Sequence, residues 1–519
     1  MRRFCLIAVL LVSTCCAKAQ QVETARYEVL RWGKDQSCHF ESFGEQGGMM
    51  VAETDKTNEE KQRLWEFVTL DTSLYDQRSD LIPLPDKLAL FDSKSSSRWA
   101  VFVFENEKQR RSDSVALLMV TYNREKQEFN TFTDWLPERS LIQSMALIDG
   151  NLMLAVNSKG GGGFLAYYDL EHQRRKTITP AITNDYILFQ FAAIPETKEF
   201  VLAAREFEEK HYKATSFLVY SREGLLSQSH RFENVENAGL GRMCFAFDRM
   251  HQLMVYSTLE RESNKKVTVE GMTEDFSKEG VGVTWIKFAS GGLQTKSYLF
   301  KNLPEIDQAL TSSDRLKVKE ELLKMQQGKK KEKGEITFQF YAPRLVEFGG
   351  NHVFVAEAFQ PIYHTETRMD YGYYGYYRSY PVSYTIFDGY DFYSEILLSF
   401  DENGELQWHT SVKFENDLCD KLWAHAMESV SHDELLVASP GQQTLRYEVF
   451  DTDGTLLLNQ QVTPLDFLYG TDSFEDEYEA GLLPWYGNCF LVHGCQMVQN
   501  PALRTTQRTV FYVQKIQYE

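Results

Sequence analysis

A strand, a tight polar turn and a second strand can be recognised in Leu397-Leu-Ser-Phe-Asp-Glu-Asn-Gly-Glu-Leu-Gln-Trp408. Residues that favour β-structure flank an Asp-x-x-Gly turn, which is the pattern of a β-hairpin. Close copies are Phe217-Leu-Val-Tyr-Ser-Arg-Glu-Gly224 and Tyr447-Glu-Val-Phe-Asp-Thr-Asp-Gly454. Looser copies follow Tyr122, Tyr168 and Phe288, and the weakest follows Leu70. The chain therefore contains a repeated hairpin.

The spacing of these turns predicts the architecture. The residue before each turn stands at position 70, 122, 168, 220, 288, 400 or 450, so four of the six intervals lie near 50. The two longer intervals contain insertions: a charged segment from Glu260 to Glu279, a charged helical segment at about 301–335, and a Tyr-rich loop at about 363–384. A four-stranded unit of about 40 to 50 residues is the period of a β-propeller blade.

The end of the chain indicates how the ring closes. Three strands are expected at 481–486, 489–493 and 509–518, and the missing fourth is expected from Tyr27 to Trp32 near the N-terminus. We predict an all-β fold, a single β-propeller over residues 21–519 with seven or eight four-stranded blades, eight being favoured. Two packed β-sandwiches are the alternative. One short helix is expected from Asp314 to Gln327, with Ser313 as N-cap.

The first twenty residues predict export. Arg2 and Arg3 precede an apolar stretch from Phe4 to Cys16, and Ala17-Lys-Ala19 resembles a signal-peptidase site. Residues 1–20 are therefore predicted to be a signal peptide, with a lipoprotein as the competing interpretation. No later stretch is apolar enough to span a bilayer. We expect a periplasmic, outer-membrane-associated or extracellular protein.

The charge balance limits the classes of binding partner, and the cysteine count indicates the state of the thiols. The 74 acidic residues exceed the 55 Lys and Arg, and the resulting charge of −19 disfavours nucleic acid. Five cysteines remain after the signal, an odd number without C-x-x-C spacing, so we expect buried free thiols. No cofactor, metal site or catalytic residue is predicted.

Two segments are candidates for binding. The first is the tyrosine loop, where Tyr371, Tyr373, Tyr374, Tyr376 and Tyr377 could stack on sugar rings or contact a protein, or could pack on their own hairpin. The second is the acidic stretch from Asp466 to Glu479, in which Asp472, Glu475, Asp476, Glu477 and Glu479 offer oxygen ligands for Ca²⁺. A solvated loop between blades is the favoured interpretation of that stretch.

The turn from Asp401 to Gly404, followed by Trp408, resembles the repeat of quinoprotein-type eight-bladed propellers. In that group the tryptophan docks between blades, and its members include quinone-dependent dehydrogenases and scaffold proteins of outer-membrane assembly. The resemblance implies the architecture, and more broadly the chain is similar to uncharacterised secreted β-propeller proteins of Gram-negative bacteria. We therefore expect an exported propeller that binds protein or glycan through its loop face. The alternatives are a carbohydrate-active enzyme with carboxylates around the central channel and a scaffold in envelope assembly.

Overall fold

The fold is a β-propeller of eight four-stranded antiparallel sheets, as seen in a computed structural model of the chain. The structure describes residues 25–31, 36–85, 88–105, 115–158, 162–209, 211–234, 238–262, 278–326, 335–371, 379–419, 422–487, 489–502 and 507–517. The predicted signal peptide lies outside these residues. The predicted fold class is confirmed, and eight is the number of blades.

Each of the first seven blades is a meander of four consecutive strands, and the eighth combines the last three strands with the first. Blades 1 to 4 comprise β2 (Cys38–Ser42), β3 (Gly48–Thr57), β4 (Arg63–Leu70), β5 (Asp76–Leu84); β6 (Ala89–Ser95), β7 (Trp99–Glu105), β8 (Val115–Asn123), β9 (Glu128–Leu136); β10 (Ser140–Ile148), β11 (Asn151–Ser158), β12 (Gly163–Asp169), β13 (Arg174–Ile178); and β14 (Asp185–Ile194), β15 (Glu199–Glu208), β16 (His211–Ser221), β17 (Leu226–Glu233). Blades 5 to 8 comprise β18 (Gly239–Phe247), β19 (Leu253–Glu262), β20 (Lys278–Ala289), β21 (Gly292–Leu299); β22 (Gln339–Phe348), β23 (Asn351–Tyr371), β24 (Ser379–Phe400), β25 (Leu406–Cys419); β26 (Met427–Ser431), β27 (Glu434–Gly441), β28 (Thr444–Asp451), β29 (Leu456–Pro464); and β30 (Ser473–Pro484), β31 (Cys489–Gln499), β32 (Gln507–Gln517), β1 (Ala25–Arg31).

All seven predicted turn positions fall between the third and fourth strands of blades 1 to 7. This agreement includes the weakest copy, after Leu70, which precedes β5. The repeat was detectable because these turns share one geometry. In blades 4, 6 and 7, Gly224, Gly404 and Gly454 adopt positive φ values of 71°, 72° and 76°.

The ring closes through β1, as predicted. β1 pairs antiparallel with β32, from Ala25 opposite Lys515 to Arg31 opposite Thr509. Polar contacts reinforce the seam, since Arg26 donates to Gln496 over 2.7 Å and packs 4.2 Å from the centre of the Tyr512 ring. The N-terminal strand therefore completes the outer edge of blade 8.

The hydrophobic core lies between neighbouring blades. Val101 and Val103 of blade 2, for example, pack in one cluster with Leu152 and Leu154 of blade 3. Because each sheet is covered on both faces, its middle strands are apolar at consecutive positions, and every residue of β7 is buried.

Tryptophans dock on the glycine turns of the following blade. Trp408, on β25 of blade 6, donates from Nε1 to the Thr452 carbonyl oxygen over 2.9 Å. A Cβ at Gly454 would stand 2.5 Å from the Trp408 ring, and one at Gly404 would stand 2.2 Å from the ring of Trp285. Glycine at these two turns thus permits the positive φ and leaves room for the tryptophan ring of the preceding blade.

The helix α1 (Ser312–Gln326) lies between β21 and β22. It begins two residues before the predicted start, and Thr311 is the capping residue rather than Ser313. The Thr311 hydroxyl accepts a hydrogen bond from the Asp314 backbone N–H over 3.3 Å. Within the described residues, no helix combines the length and apolar character needed to cross a membrane.

Gly454→Ala is expected to lower the free energy of unfolding by about 2–4 kcal/mol, because it combines a positive φ with a clash against Trp408. The measurement is chemical denaturation of the two proteins. Gly291→Ala is the matched control, since a Cβ there meets no atom within 4 Å. Equal losses for the two variants would contradict the docking role of Gly454.

Candidate binding site on the loop face

The two faces of the propeller differ in the length of their connections. In each blade, the connection between the first and second strands lies at the same end of the sheet as the connection between the third and fourth strands. In this chain, each of these connections has five residues or fewer. We call this end the turn face. The other end, the loop face, carries the segment with α1 and the extended hairpin of β23 and β24.

β23 and β24 are the longest strands of the described chain, with 21 and 22 residues. β22 pairs with β23 only as far as Phe359, and β25 pairs with β24 only from Tyr390. Beyond these points, residues 362–371 and 379–389 pair with each other as a two-stranded ribbon. We call this ribbon the arm, and at 3.3 Å per residue its described part extends about 30 Å.

Charged and aromatic side chains pair with each other along the arm. His364 Nδ1 lies 2.5 Å from Asp388 Oδ1, and Arg368 lies 2.7 Å from Glu366. The Arg368 guanidinium also lies 5.7 Å from the centre of the Tyr384 ring, and Tyr384 is 38% exposed. The arm thus offers an aromatic and hydrogen-bonding surface with a small negative charge, since Glu366, Asp370 and Asp388 outnumber Arg368.

The predicted tyrosine site begins where the described part of the arm ends. Tyr371 is the last residue of β23, and its backbone pairs with Ser379. Tyr373, Tyr374, Tyr376 and Tyr377 lie outside the described residues, so their role stays a prediction. The segment predicted as a loop at about 363–384 is continuous strand wherever it is described.

Aromatic packing fixes the base of the arm. Phe387 contacts Tyr363 and Tyr390, with ring centres 5.8 and 4.8 Å apart. Phe359 contacts Tyr390 and Phe392 at 5.8 and 5.7 Å. Tyr390 at the base is therefore part of the core and Tyr363 is half-buried, whereas Tyr384 is exposed.

Below the arm, three glutamates surround one arginine between blades 6 and 7. Arg344 donates to Glu357 and Glu395, each over 2.6 Å, and contacts both oxygens of Glu428 at 2.5 and 2.9 Å. The carboxylates of Glu357 and Glu395 have no exposed surface. We call these four residues the Arg344 cluster. It connects the two strands of the arm to the inner strand of blade 7.

A bulge in β22 places the arginine. The pairing of β22 with β23 shifts between Tyr341 and Arg344, and Ala342 adopts a φ of 45°. The backbone of the next blade completes the arrangement, because the N–H groups of His425 and Ala426 donate to Glu357 over 2.8 and 3.3 Å.

When every carboxyl is ionised, the three glutamates and the one arginine of the cluster have a net charge of −2. Burial and the neighbouring Glu428 carboxylate raise the pKa of Glu395 well above its usual value. Burial alone would raise the pKa of Glu428, but the Arg344 guanidinium outweighs it and holds that pKa below its usual value. Within the cluster, the protonated form is therefore favoured most at Glu395, and the ionised form is favoured at Glu428.

The buried glutamates were missed in the sequence, although a signal for them exists. Glu357 stands in Val353-Phe-Val-Ala-Glu-Ala-Phe359, and Glu395 stands directly before Ile396-Leu-Leu398. A charged residue inside an otherwise apolar strand indicates a buried ion pair, because an isolated buried carboxylate is too costly. Their partner Arg344 could not be assigned without the fold.

A second polar group lies where the inner strands of blades 1 and 2 meet. His39 Nε2 lies 2.6 Å from the Ser93 hydroxyl, which donates to Glu41. Burial raises the pKa of Glu41, but hydrogen bonds from His39 and Ser93 outweigh it and lower that pKa overall. Because Ser93 is buried, this group joins the two blades rather than presenting a nucleophile.

The acidic stretch of blade 8 forms internal contacts. Its second half belongs to β30, so the predicted solvated loop is wrong for residues 473–479. Asp472 accepts from Arg508 and Asn500, at 2.9 and 2.6 Å. Glu477 accepts from the Gln443 backbone over 2.6 Å. Across the described ranges, no group of three or more His, Cys, Asp or Glu side chains has a metal-binding arrangement.

The five cysteines of the described chain are free thiols. Cys244, Cys489 and Cys495 are buried, and burial raises the pKa of Cys244 to about 12. The expectation of buried free thiols is thus met for these three. Cys38 and Cys419 are half-buried.

No family model and no curated protein matches the chain. Among solved structures, it is similar to the β-propeller domain of the trilobed protease from Pyrococcus furiosus, with 9% identity, a TM-score of 0.35, and coverage of 84% of this chain and 99% of that one. It is also similar to a putative 6-phosphogluconolactonase from Bacteroides uniformis, with 11% identity and a TM-score of 0.36. That match covers 80% of this chain and 97% of the other. The match to prolyl oligopeptidase B from Galerina marginata has 9% identity and a TM-score of 0.38. It covers 90% of this chain and 56% of the other, so this chain spans little more than half of that protein's length.

The pH dependence of stability should report the raised pKa of Glu395. Folding raises the pKa of Glu395, so its stabilising contribution is complete below the unfolded value of about 4.3 and is lost as pH rises through the native value. Glu395→Gln keeps a hydrogen-bond donor for Glu428 but cannot ionise. We expect the Tm of the variant minus that of the wild type to increase between pH 5 and pH 10. Parallel Tm profiles would contradict the assignment.

Removing the Arg344 guanidinium should lower the free energy of unfolding far more than neutralising Glu395. Arg344→Met leaves buried carboxylates without their cation, and a loss of about 3–5 kcal/mol is expected in urea unfolding. Arg249→Met is the control, because Arg249 is exposed and pairs with Glu402 at 3.3 Å. A surface pair of this kind contributes about 0–1 kcal/mol. Similar losses for both variants would refute a special role for Arg344.

Proposed function

We propose that the protein is an exported, non-enzymatic binding or scaffold protein that recognises a partner protein through the arm on its loop face. The observation that carries the proposal is the extension of β23 and β24 beyond their sheet. Export rests on the sequence of residues 1–20, and the role of the tip rests on its tyrosines.

The shape of the arm supports a macromolecular partner. A ribbon of about 30 Å presents two long edges, and backbone N–H and C=O groups at a strand edge can pair with an added strand. Tyrosine adds a large contact area at a low cost in side-chain entropy. A ribbon that stands above its sheet encloses no small molecule, so protein is favoured over glycan at this site.

The anchoring of the arm supports the same proposal. The Arg344 cluster and the aromatic packing at the base hold both strands against blade 7. A binding element that is already ordered loses less conformational entropy when its partner arrives. The buried cluster therefore has a use in binding although it does not touch the partner.

The alternative of a channel enzyme requires exposed carboxylates that face each other. The largest gathering of buried carboxylates in the described chain surrounds Arg344, and the side chains of Glu357 and Glu395 are inaccessible. Their arrangement serves the packing of blades 6 and 7. It gives the channel-enzyme alternative no support.

The test combines loss of binding with site-specific cross-linking. The mature protein with Tyr373, Tyr374, Tyr376 and Tyr377 changed to Ser is compared with the wild type in quantitative pull-downs from the native envelope. A photo-cross-linking residue at Tyr384 should capture the same partner. The control places it at Tyr75, which is 70% exposed in a connection of the turn face.

We expect the partner to be retained by the wild type, to be lost from the four-Tyr variant, and to be cross-linked from position 384 but not from position 75. Equal retention by the wild type and the variant would remove the tip from the proposal. Cross-linking from position 75 alone would move the binding surface to the turn face.

A further inference from the structure

An open groove lies on the loop face between blades 2 and 3. It is formed by the end of β9, the start of β12 and the end of β13, and it encloses about 500 Å³. This volume falls within the range of small-molecule sites, about 300–1,000 Å³. Its residues belong neither to the arm nor to the Arg344 cluster.

Trp135 is the prominent side chain of the groove. It is 57% exposed, whereas the six other tryptophans of the described chain are buried or half-buried. Those six are Trp65, Trp99, Trp285, Trp408, Trp423 and Trp485. An indole that could be packed inside the propeller is thus presented to solvent inside a concave site.

The repeat itself does not require an aromatic residue at this position. Leu136 is a buried anchor near the end of β9, and Leu84 and Phe232 are buried near the ends of β5 and β17. The residue before each anchor is Trp135 in blade 2, but Pro83 in blade 1 and Arg231 in blade 4. Trp135 is therefore a feature of this groove rather than of blade construction.

The remaining lining combines apolar and polar surface. Phe164 and Pro137 extend the apolar wall, and the exposed Thr177 and Thr179 bring hydroxyl groups to the rim. The groove thus offers a flat apolar surface beside hydrogen-bonding groups, which is the combination that fixes an amphipathic ligand.

The charge of the groove indicates an uncharged ligand. Arg175 is its basic residue, and its Nε lies 2.5 Å from Asp134 Oδ2. The Tyr168 hydroxyl donates to the same Asp134 oxygen over 2.7 Å. Because this carboxylate balances the guanidinium, an anion gains little by entering the groove.

We infer that the groove binds a saccharide, with one sugar ring stacked on the Trp135 indole and its hydroxyl groups bonded to Thr177, Thr179 and Arg175. A pyranose has an apolar C–H face and a rim of hydroxyl groups, so it matches both surfaces. Because the groove is open to solvent, a longer saccharide can extend beyond it. This site is independent of the arm and goes beyond the proposed function.

The test begins with the mature protein on an array of neutral plant and microbial oligosaccharides. The best-binding oligosaccharide is then titrated by calorimetry into the wild type, Trp135→Ala and Trp135→Phe. We expect at least a tenfold loss of affinity for the Ala variant and a smaller loss for Phe, which keeps an aromatic face. Thr177→Val should weaken binding without removing the stacking surface.

Two controls separate the groove from other effects. Tyr75→Ala removes an aromatic residue of comparable exposure from the turn face and should leave affinity unchanged. The four-Tyr variant of the arm should also bind the oligosaccharide normally, so the two sites can fail separately. Thermal unfolding should show that Trp135→Ala folds, because the side chain is largely exposed.

The inference is overturned if no neutral oligosaccharide binds the wild type, or if Trp135→Ala binds as tightly as the wild type. Loss of oligosaccharide binding in the arm variant alone would assign saccharide recognition to the arm instead.

Discussion

A single blade of this protein cannot bury its own apolar surface. Its middle strands are apolar on both faces, so each sheet needs a neighbour on each side, and eight sheets meet this need only in a closed ring. The seam between the first and last strands is therefore the contact on which every other blade interface depends. The chain supplies it by pairing β1 with β32, more than 470 residues apart in sequence.

The turn face and the loop face follow from this requirement. On the turn face, Gly404 and Gly454 contact tryptophans of the preceding blade, so the length and conformation of these turns are constrained by packing. The described connections of the loop face vary in length, and the one before α1 packs Phe300 and Ile306 into the core cluster shared by blades 5 and 6. Insertions such as the α1 segment and the arm are found at that end, and the residues that flank α1 add to the core between blades 5 and 6.

The same constraint explains how much of the fold could be predicted from the sequence. The turn after Phe450 is recognisable because Gly454 must have a positive φ and lie against Trp408, and a residue with positive φ recurs about every 50 residues at most of the other turns. Blade number and closure follow from that period. The length of the arm could not be predicted in this way, since Tyr and Gly in a low-complexity segment suit a loop and a ribbon equally well.

The site residues were harder to predict because their partners are distant in sequence. Glu357 and Glu428 are 71 positions apart and meet only because blades 6 and 7 are adjacent and a bulge at Ala342 turns Arg344 between them. Trp135 shows the opposite difficulty, because an exposed and a buried tryptophan have the same signature in a strand. Only the fold shows that β9 ends at a groove, and that this tryptophan, unlike Trp408, has no glycine turn to cover it. In this propeller, the sequence alone therefore does not distinguish an aromatic residue of a binding groove from one of the core, because both lie on strands.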